Sequence, residues 1–126
     1  MSDKKIMIVD DDRDMLRGLN VRLRASGYET VFANDAISAI STAKKEKPNL
    51  IILDLGLPAG DGYVVMERLK GMTQLAAIPI VVLSARDPMF HQDRSLKAGA
   101  QAFLQKPADN DVLMAVVRKS LGDAAA

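Results

Sequence analysis

Short apolar segments alternate with longer amphipathic segments along the whole chain. The segments Ile6 to Val9, Leu50 to Leu53 and Ile78 to Leu83 are continuously apolar, which is typical of parallel strands covered by helices on both faces. Tyr28 to Ala33 mixes polar and apolar positions and Ala102 to Gln105 is short, so both suit the edges of a sheet. The pattern predicts five βα units.

Four of the intervening segments repeat apolar residues at the spacing of a helix that buries one face. These positions are Leu16, Leu19 and Leu23 in the first helix; Ile37, Ile40 and Ala43 in the second; Val65, Met66, Leu69 and Met72 in the third; and Val112, Leu113, Val116, Val117 and Leu121 in the fifth. The fourth helix, roughly Pro88 to Ala98, offers only Met89, Phe90 and Leu96 among polar residues. We expect it to be weakly anchored and to be the most mobile helix.

Strict alternation of strands and helices, joined by right-handed crossovers, predicts a doubly wound α/β fold. The chain has 126 residues, of which 48% are apolar, and this is enough for one core. We therefore predict a single domain over residues 4–122, a short tail over residues 123–126 and no output domain. Ligands of such sheets bind beyond the carboxyl ends of the strands.

Composition excludes several classes of function. A net charge of +1 supplies no overall field that would attract nucleic acid or an anionic membrane. The absence of cysteine removes disulfides, thiolate nucleophiles and sulfur-ligated zinc. The first apolar run is too short for a signal peptide or a membrane span, and no helix-turn-helix segment or basic stripe is present. We expect a cytoplasmic domain that binds neither nucleic acid nor membrane.

Polar side chains stand where the predicted strands end. Asp10 and Asp11 follow the first strand, Asp54 the third, Ser84 the fourth and Lys106 the fifth. The carboxyl ends of parallel strands share one edge of the sheet, so we expect these groups to meet there. Crowded carboxylates require a cation, and an all-oxygen site suits Mg²⁺. A metal on one side and an ammonium on the other would suit phosphoryl transfer to a carboxylate.

Five motifs together resemble the receiver domain of response regulators, the CheY-like domain of two-component signal transduction, from Lys5 to about Leu121. The motifs are Ile6-Met7-Ile8-Val9-Asp10-Asp11, Asp54-Leu55-Gly56-Leu57-Pro58-Ala59-Gly60-Asp61-Gly62, Ser84-Ala85, Gly99-Ala100, and Phe103 with Lys106-Pro107. The resemblance implies a flavodoxin-like (βα)5 domain with a five-stranded parallel sheet in the order 2-1-3-4-5.

The same resemblance implies a phosphorelay switch without turnover of a separate substrate. Such a domain accepts a phosphoryl group from a histidine kinase or a histidine phosphotransfer protein. Its face formed by helix 4, strand 5 and helix 5 then changes conformation and controls a partner or a fused output domain. The resemblance identifies Asp54 as the phosphoacceptor. It identifies Asp11, Asp54 and the backbone carbonyl of Gly56 as Mg²⁺ ligands, with Asp10 acting through a metal-bound water.

Further roles follow from the matching positions at the ends of the last two strands. Lys106 resembles the lysine that contacts the phosphoryl group. Ser84 resembles the hydroxyl residue that moves to bind a phosphoryl oxygen, and Phe103 the aromatic ring that turns inward with it. The peptide bond before Pro107 is cis in this family, which suits a tight turn. Gly62 is interpreted as structural, since glycine supports turns that other residues resist.

Two other functions remain as alternatives. An aspartate-dependent phosphohydrolase of the haloacid dehalogenase type needs a second aspartate two residues after the nucleophile, and Asp54 has Gly56 there. Asp10 and Asp12 have that spacing, but Asp14 replaces the hydroxyl or apolar residue expected next. The second alternative, an interaction module that is never phosphorylated, is less favoured because every residue needed for the chemistry is present.

Two polar residues are interpreted without a chemical role. Asp12 suits the first turn of a helix, where a carboxylate accepts backbone hydrogen bonds. His91 is the only histidine of the chain and lies in the polar fourth helix. We interpret it as a surface side chain.

Overall fold

A computed structural model describes residues 4–123. Within that range five strands alternate strictly with five helices. They are β1 (Lys5–Val9), α1 (Arg13–Ala25), β2 (Glu29–Ala33), α2 (Ala36–Glu46), β3 (Leu50–Leu53), α3 (Gly62–Lys70), β4 (Ile80–Ser84), α4 (Pro88–Lys97), β5 (Ala102–Gln105) and α5 (Asn110–Leu121). All strand pairs are parallel and the order is β2-β1-β3-β4-β5. The predicted fold class and strand order are confirmed.

Each helix begins after an aspartate whose carboxylate accepts a backbone N–H of the first turn. These N-caps are Asp12, Asp35, Asp61, Asp87 and Asp109. Such caps satisfy amides that have no partner inside the helix, and they place a negative charge at the positive end of the helix dipole. The interpretation of Asp12 as a helix cap is confirmed.

The core consists of two layers, one on each face of the sheet. On one face, Met7 and Val9 of β1 pack with residues of α2 and α3. On the other face, Ile6 and Ile8 pack with residues of α1 and α5. Alternate strand residues point to opposite faces, and both faces are covered, which is why the central strands are apolar throughout.

The predicted apolar stripes were wrong at two positions. Ile37 is 67% exposed and Val112 is 50% exposed. The buried face of α2 is instead a row of small residues around one isoleucine, namely Ala36, Ala39, Ile40 and Ala43. α5 buries Leu113, Met114 and Val117. Alanines allow close contact between α2 and the sheet, and this turns the larger Ile37 towards solvent.

Several element boundaries also differ from the prediction: β1 begins at Lys5 rather than Ile6 and β2 at Glu29 rather than Tyr28. The strand β4 begins at Ile80 rather than Ile78, because the Ile78 N–H donates to the Leu75 carbonyl in a turn. The helix α3 ends at Lys70, so Met72 lies beyond it and packs against the core from the following segment.

The helix α4 is attached by few buried side chains. Ser95 is its only buried residue, and its hydroxyl donates to the Gln92 carbonyl within the same helix. Met89 and Phe90 are 81% and 68% exposed. The thin apolar stripe predicted for this helix therefore contributes little to the core. Its mobility stays a prediction.

A polar cluster joins the two ends of the described chain. Lys4 Nζ lies 2.7 Å from the Leu121 carbonyl and 2.6 Å from the Asp123 carboxylate. The Tyr28 hydroxyl donates to the same carboxylate at 2.7 Å. The predicted tail begins at Asp123, and its residues 124–126 lie outside the described residues. Among residues 4–123 no helix has both the length and the apolar composition needed to cross a membrane.

Candidate phosphoacceptor site

Three carboxylates meet where β1 and β3 end. The two strands are paired, and the Asp54 N–H donates to the Val9 carbonyl at 2.9 Å, so Asp54 lies beside Asp10. One carboxylate oxygen each from Asp10, Asp11 and Asp54 lies within 4.8 Å of the others. Asp10 and Asp54 are buried, whereas Asp11 is exposed. The sheet thus gathers acidic residues from distant parts of the chain into one cluster.

Lys106 faces this cluster from the end of β5. Its backbone N–H donates to the Ser84 carbonyl at 2.8 Å, which continues the pairing of β4 with β5. Its ammonium lies 2.7 Å from Asp10 Oδ2 and 3.7 Å from Asp54 Oδ2. The peptide bond that follows, between Lys106 and Pro107, is cis. The predicted meeting of Asp11, Asp54 and Lys106 at one edge of the sheet is present in the structure.

The Asp54 carboxyl and the Lys106 ammonium each shift the pKa of the other. Burial raises the pKa of the Asp54 carboxyl, and the Asp10 and Asp11 carboxylates add to this, against opposing effects of Lys106 and the Gly56 N–H. Burial alone would lower the pKa of Lys106, but its hydrogen bond to Asp10 and the charges of Asp10, Asp54 and Asp12 raise it above the ordinary value. Lys106 therefore stays an ammonium, and one ammonium does not balance three carboxylates.

Ser84 and Phe103 lie on β4 and β5, the two strands on one side of β3, the strand that Asp54 follows. Ser84 is the last residue of β4 and is completely buried. Its hydroxyl oxygen accepts the Arg86 N–H at 3.1 Å. Phe103 on β5 is partly buried against the core layer that faces α2 and α3. The hydroxyl and the ring thus belong to neighbouring strands, as the predicted switch requires.

The loop between β3 and α3 packs closely on Asp54. The Gly62 N–H donates to the Leu55 carbonyl at 2.8 Å. A Cβ at Gly62 would lie only 2.7 Å from the Asp54 carbonyl oxygen and 2.8 Å from Leu55 Cα, so no larger residue fits without a backbone shift. Gly56, by contrast, has room for a side chain. The nearest atom to a Cβ built there belongs to the Arg86 guanidinium, at 3.9 Å.

An aromatic contact between α3 and α4 was missed from the sequence. The Tyr63 hydroxyl and His91 Nδ1 share a hydrogen bond of 2.8 Å, and the two rings stack with centroids 6.0 Å apart. The Arg94 guanidinium lies 3.8 Å from the centroid of the Tyr63 ring. His91 is thus a bonded, partly buried side chain and not a plain surface residue. No local pattern in either helix indicates this contact, because it depends on how the two helices pack.

Comparison with known proteins agrees with this site. The sequence model of the response regulator receiver domain matches residues 6–118. The chain belongs to this family. It is a receiver domain of two-component response regulators, and receiver domains are signalling domains that act with histidine kinases and output domains.

Curated relatives of this receiver domain are longer proteins. The chain is 36% identical over 121 residues to the alkaline phosphatase synthesis transcriptional regulatory protein PhoP of Bacillus subtilis, and the match covers 93% of this chain and 50% of PhoP. It is 36% identical over 114 residues to the response regulator PleD of Caulobacter vibrioides, with 90% of this chain and 25% of PleD covered. The chain spans about half or less of the length of these relatives.

Two solved structures are similar over nearly the whole receiver domain. The BeF3-activated N-terminal receiver domain of Klebsiella pneumoniae RstA has a TM-score of 0.87 at 30% identity, with 94% of this chain and 98% of that one covered. The receiver domain of the sensor histidine kinase PA1611 from Pseudomonas aeruginosa has a TM-score of 0.86 at 26% identity, with 97% and 100% covered. The PA1611 structure has a magnesium ion coordinated in its active site cleft.

Proposed function

We propose that this receiver domain accepts a phosphoryl group on Asp54, in a Mg²⁺-dependent reaction, from a histidine kinase or a histidine phosphotransfer protein. The observation that carries the proposal is the arrangement at the sheet edge. Three carboxylates, with ligand oxygens within 4.8 Å of one another, face a single ammonium 3.7 Å from Asp54. An aspartate nucleophile between a metal site and a cation is the arrangement that phosphoryl transfer requires.

The donor atoms of the cluster fit Mg²⁺. All are oxygens, and their combined negative charge exceeds what Lys106 can balance. We assign Asp11, Asp54 and the Gly56 carbonyl as direct ligands and Asp10 as a ligand through water. When bound, the ion would neutralise charge on the transferred phosphoryl group. The magnesium ion in the active site cleft of PA1611 supports magnesium as the metal.

The chain's own residues perform the transfer. A carboxylate oxygen of Asp54 attacks the phosphorus, the P–N bond to the donor imidazole breaks, and the imidazole retains the bonding electron pair. The product is an acyl phosphate on Asp54. Lys106 donates hydrogen bonds to phosphoryl oxygens, and its raised pKa keeps it charged for this role. Catalysis then consists of positioning and electrostatic stabilisation.

The phosphoryl group changes the conformation through Ser84 and Phe103. The Ser84 hydroxyl moves to a phosphoryl oxygen, and this motion gives up the hydrogen bond that it accepts from the Arg86 N–H. Phe103 turns further into the core as the hydroxyl moves. The face formed by α4, β5 and α5 changes with these residues and controls a downstream protein or a fused output domain. Residues 4–122 constitute the receiver unit in this proposal.

Exposure to acetyl phosphate with and without Mg²⁺, followed by intact mass measurement, tests this function. We expect one phosphoryl group per chain, only with Mg²⁺, and none in Asp54→Asn. Asp12→Asn is the matched control, since Asp12 belongs to the same edge but caps α1 outside the carboxylate cluster. Equal labelling of Asp54→Asn would contradict the proposal. Repeated turnover of a phosphate ester would instead support the phosphohydrolase alternative.

A further inference from the structure

Tyr63 connects α3 to α4 by three contacts of one side chain. Its hydroxyl is hydrogen-bonded to His91 Nδ1 at 2.8 Å. Its ring stacks on the His91 ring at an interplanar angle of 29°. The Arg94 guanidinium lies over the ring face, 3.8 Å from the centroid, in the geometry of a cation–π interaction. A partly buried tyrosine therefore bonds to two successive turns of the neighbouring helix.

These contacts are important for α4 because few of its own side chains are buried where it packs on β5. Its only buried side chain is Ser95, which bonds within the helix. Its large apolar side chains, Met89 and Phe90, face solvent. A helix with little buried apolar surface is held by the specific contacts that it makes. Tyr63 thus supplies specific side-chain contacts to α4 in addition to the packing of this helix on β5.

Tyr63 is also fixed relative to the phosphoacceptor. It follows Gly62, whose backbone packs directly on the Asp54 carbonyl oxygen and leaves no room for a Cβ. The Tyr63 N–H donates to the Asp61 carboxylate at 3.0 Å, which holds the first turn of α3. The close contact at Gly62 leaves the backbone at Asp54 and the start of α3 little room to move independently.

We propose that Tyr63 is a positioning residue that couples the loop carrying Asp54 to α4 and holds α4 in its unphosphorylated position. This inference rests on the proposed function, because it assigns a second connection between the phosphoacceptor and α4. The first connection passes through Ser84 and Phe103 on β4 and β5. The second passes through Gly62 and Tyr63 to His91 and Arg94, on the α3 side of the same helix.

The test compares Tyr63→Phe with the wild-type receiver domain by backbone NMR. The variant keeps the ring and its stacking but loses the hydroxyl that bonds His91. Tyr28→Phe is the matched control, since its hydroxyl bonds Asp123 near the chain ends. In the resting protein we expect amides of α4 to exchange roughly five-fold faster in Tyr63→Phe, as for loss of one hydrogen bond, and to be unchanged in Tyr28→Phe.

A second measurement separates coupling from plain loss of stability. With Mg²⁺ and fluoroberyllate, wild-type α4 resonances should move to new positions. In resting Tyr63→Phe, the same resonances should already be displaced part of the way along that path. His91→Leu breaks the same hydrogen bond from the other helix and also removes the ring that stacks on Tyr63, so it should produce at least the same displacement. The double variant should match His91→Leu, because the hydroxyl removed by Tyr63→Phe then has no His91 partner to lose.

Failure of the proposed function and failure of the proposed role of Tyr63 give different results. A wild-type protein that shows no response to fluoroberyllate near Asp54 would overturn the proposed function. The inference about Tyr63 alone would be overturned by a different result. In that case the wild-type protein responds to fluoroberyllate, but Tyr63→Phe and His91→Leu match it in amide exchange and in resonance positions. Additive effects of the two substitutions would also overturn it, because they would show that Tyr63 and His91 act separately.

Discussion

At the scale of single residues, the site is a balance of charges that only the folded sheet brings together. Asp10 and Asp54 are buried side by side, and the ammonium of Lys106 lies against both. Burial strengthens these interactions and raises the pKa of the Asp54 carboxyl. The pKa of Asp54 is therefore set first by burial of its carboxyl and next by the Lys106 ammonium, which opposes that effect.

Replacement of Lys106 by methionine tests the role of its ammonium. Lys106→Met keeps the length of the side chain but removes the cation 3.7 Å from Asp54. We expect the initial rate of labelling by acetyl phosphate to fall about 100-fold at saturating Mg²⁺, as for loss of one group that stabilises the transition state. Lys97→Met is the control, because Lys97 forms an exposed ion pair with Asp93. This variant should be labelled at the wild-type rate. An unchanged rate in Lys106→Met would remove Lys106 from the mechanism.

Replacement of Ser84 by alanine tests the proposed movement of its hydroxyl to a phosphoryl oxygen. The hydroxyl of Ser84 accepts the Arg86 N–H at rest and is assigned to a phosphoryl oxygen after transfer. Without it, the active conformation loses one charge-assisted hydrogen bond. In Ser84→Ala loaded with Mg²⁺ and fluoroberyllate, NMR should show only partial displacement of the face formed by α4, β5 and α5. Full displacement in that variant would contradict the role of Ser84.

The meeting of Asp54 and Lys106 at one edge of the sheet could be predicted from the sequence for a physical reason, whereas the individual roles of the site residues came from the family resemblance. Asp54 and Lys106 each follow an apolar strand, and parallel strands bring their carboxyl ends to one edge whatever their separation in the chain. The contact of Tyr63 with His91 has no such rule, because it depends on the orientation of two helices. Residue patterns predict which groups reach an edge but not which side chains touch across it.

At the scale of elements, the packing of α2 and α3 depends on small residues. The Ala36, Ala39 and Ala43 side chains bring α2 close to the sheet, and Gly62 brings the start of α3 onto Asp54. Hydrophobicity alone favoured the larger Ile37 as a core residue, which was wrong. The apolar periodicity correctly predicted the helix α2. It did not predict which of two adjacent faces of α2 packs against the sheet.

Substitution of Gly62 tests this packing directly. Gly62→Ala would place a Cβ 2.7 Å from the Asp54 carbonyl oxygen, where the neighbour is backbone and cannot rotate away. We expect the free energy of unfolding to fall by roughly 1–3 kcal/mol, as for overpacking of a core. Gly18→Ala is the control, since nothing lies within 4 Å of its Cβ and α1 is helical there. It should raise the free energy of unfolding by roughly 0.5–1 kcal/mol.

Equilibrium denaturation of the two glycine variants measures these changes in the free energy of unfolding. Loss of stability in Gly62→Ala and gain in Gly18→Ala would show that the loop is fixed on Asp54 by close backbone contact. A Gly62→Ala variant as stable as the wild type would contradict this, and would also remove the rigid link from Asp54 to Tyr63.

At the scale of the whole molecule, the ends of the described chain are joined by Tyr28, Asp123 and Lys4. Burial raises the pKa of Tyr28 to about 12, and its hydrogen bond to Asp123 and the charge of Asp123 add to the effect, against a smaller opposing effect of Arg118. The ordinary value is 10.0, so the folded state favours the neutral phenol. This stabilisation is complete below pH 10 and is lost as the pH rises from 10 to about 12.

The pH dependence of stability tests this cluster. The difference in free energy of unfolding between the wild type and Tyr28→Phe should decline as the pH rises from 10.0 to about 12, because phenylalanine does not titrate. Below pH 10 the difference should be constant down to the range where Asp123 becomes protonated. Denaturation curves collected across this range provide the measurement. A difference that stays constant from pH 9 to 12 would show that the phenol of Tyr28 is equally acidic in the folded and unfolded chain.

Locating the modified residue shows whether Asp54 is the residue that becomes phosphorylated. The receiver domain would be treated with acetyl phosphate and Mg²⁺, reduced with borohydride to trap an acyl phosphate, digested and sequenced by mass spectrometry. We expect a single reduced aspartate, at position 54. Reduction at Asp10 or Asp11 instead, or no reduced residue in a chain that carries a phosphoryl group, would contradict phosphorylation of Asp54.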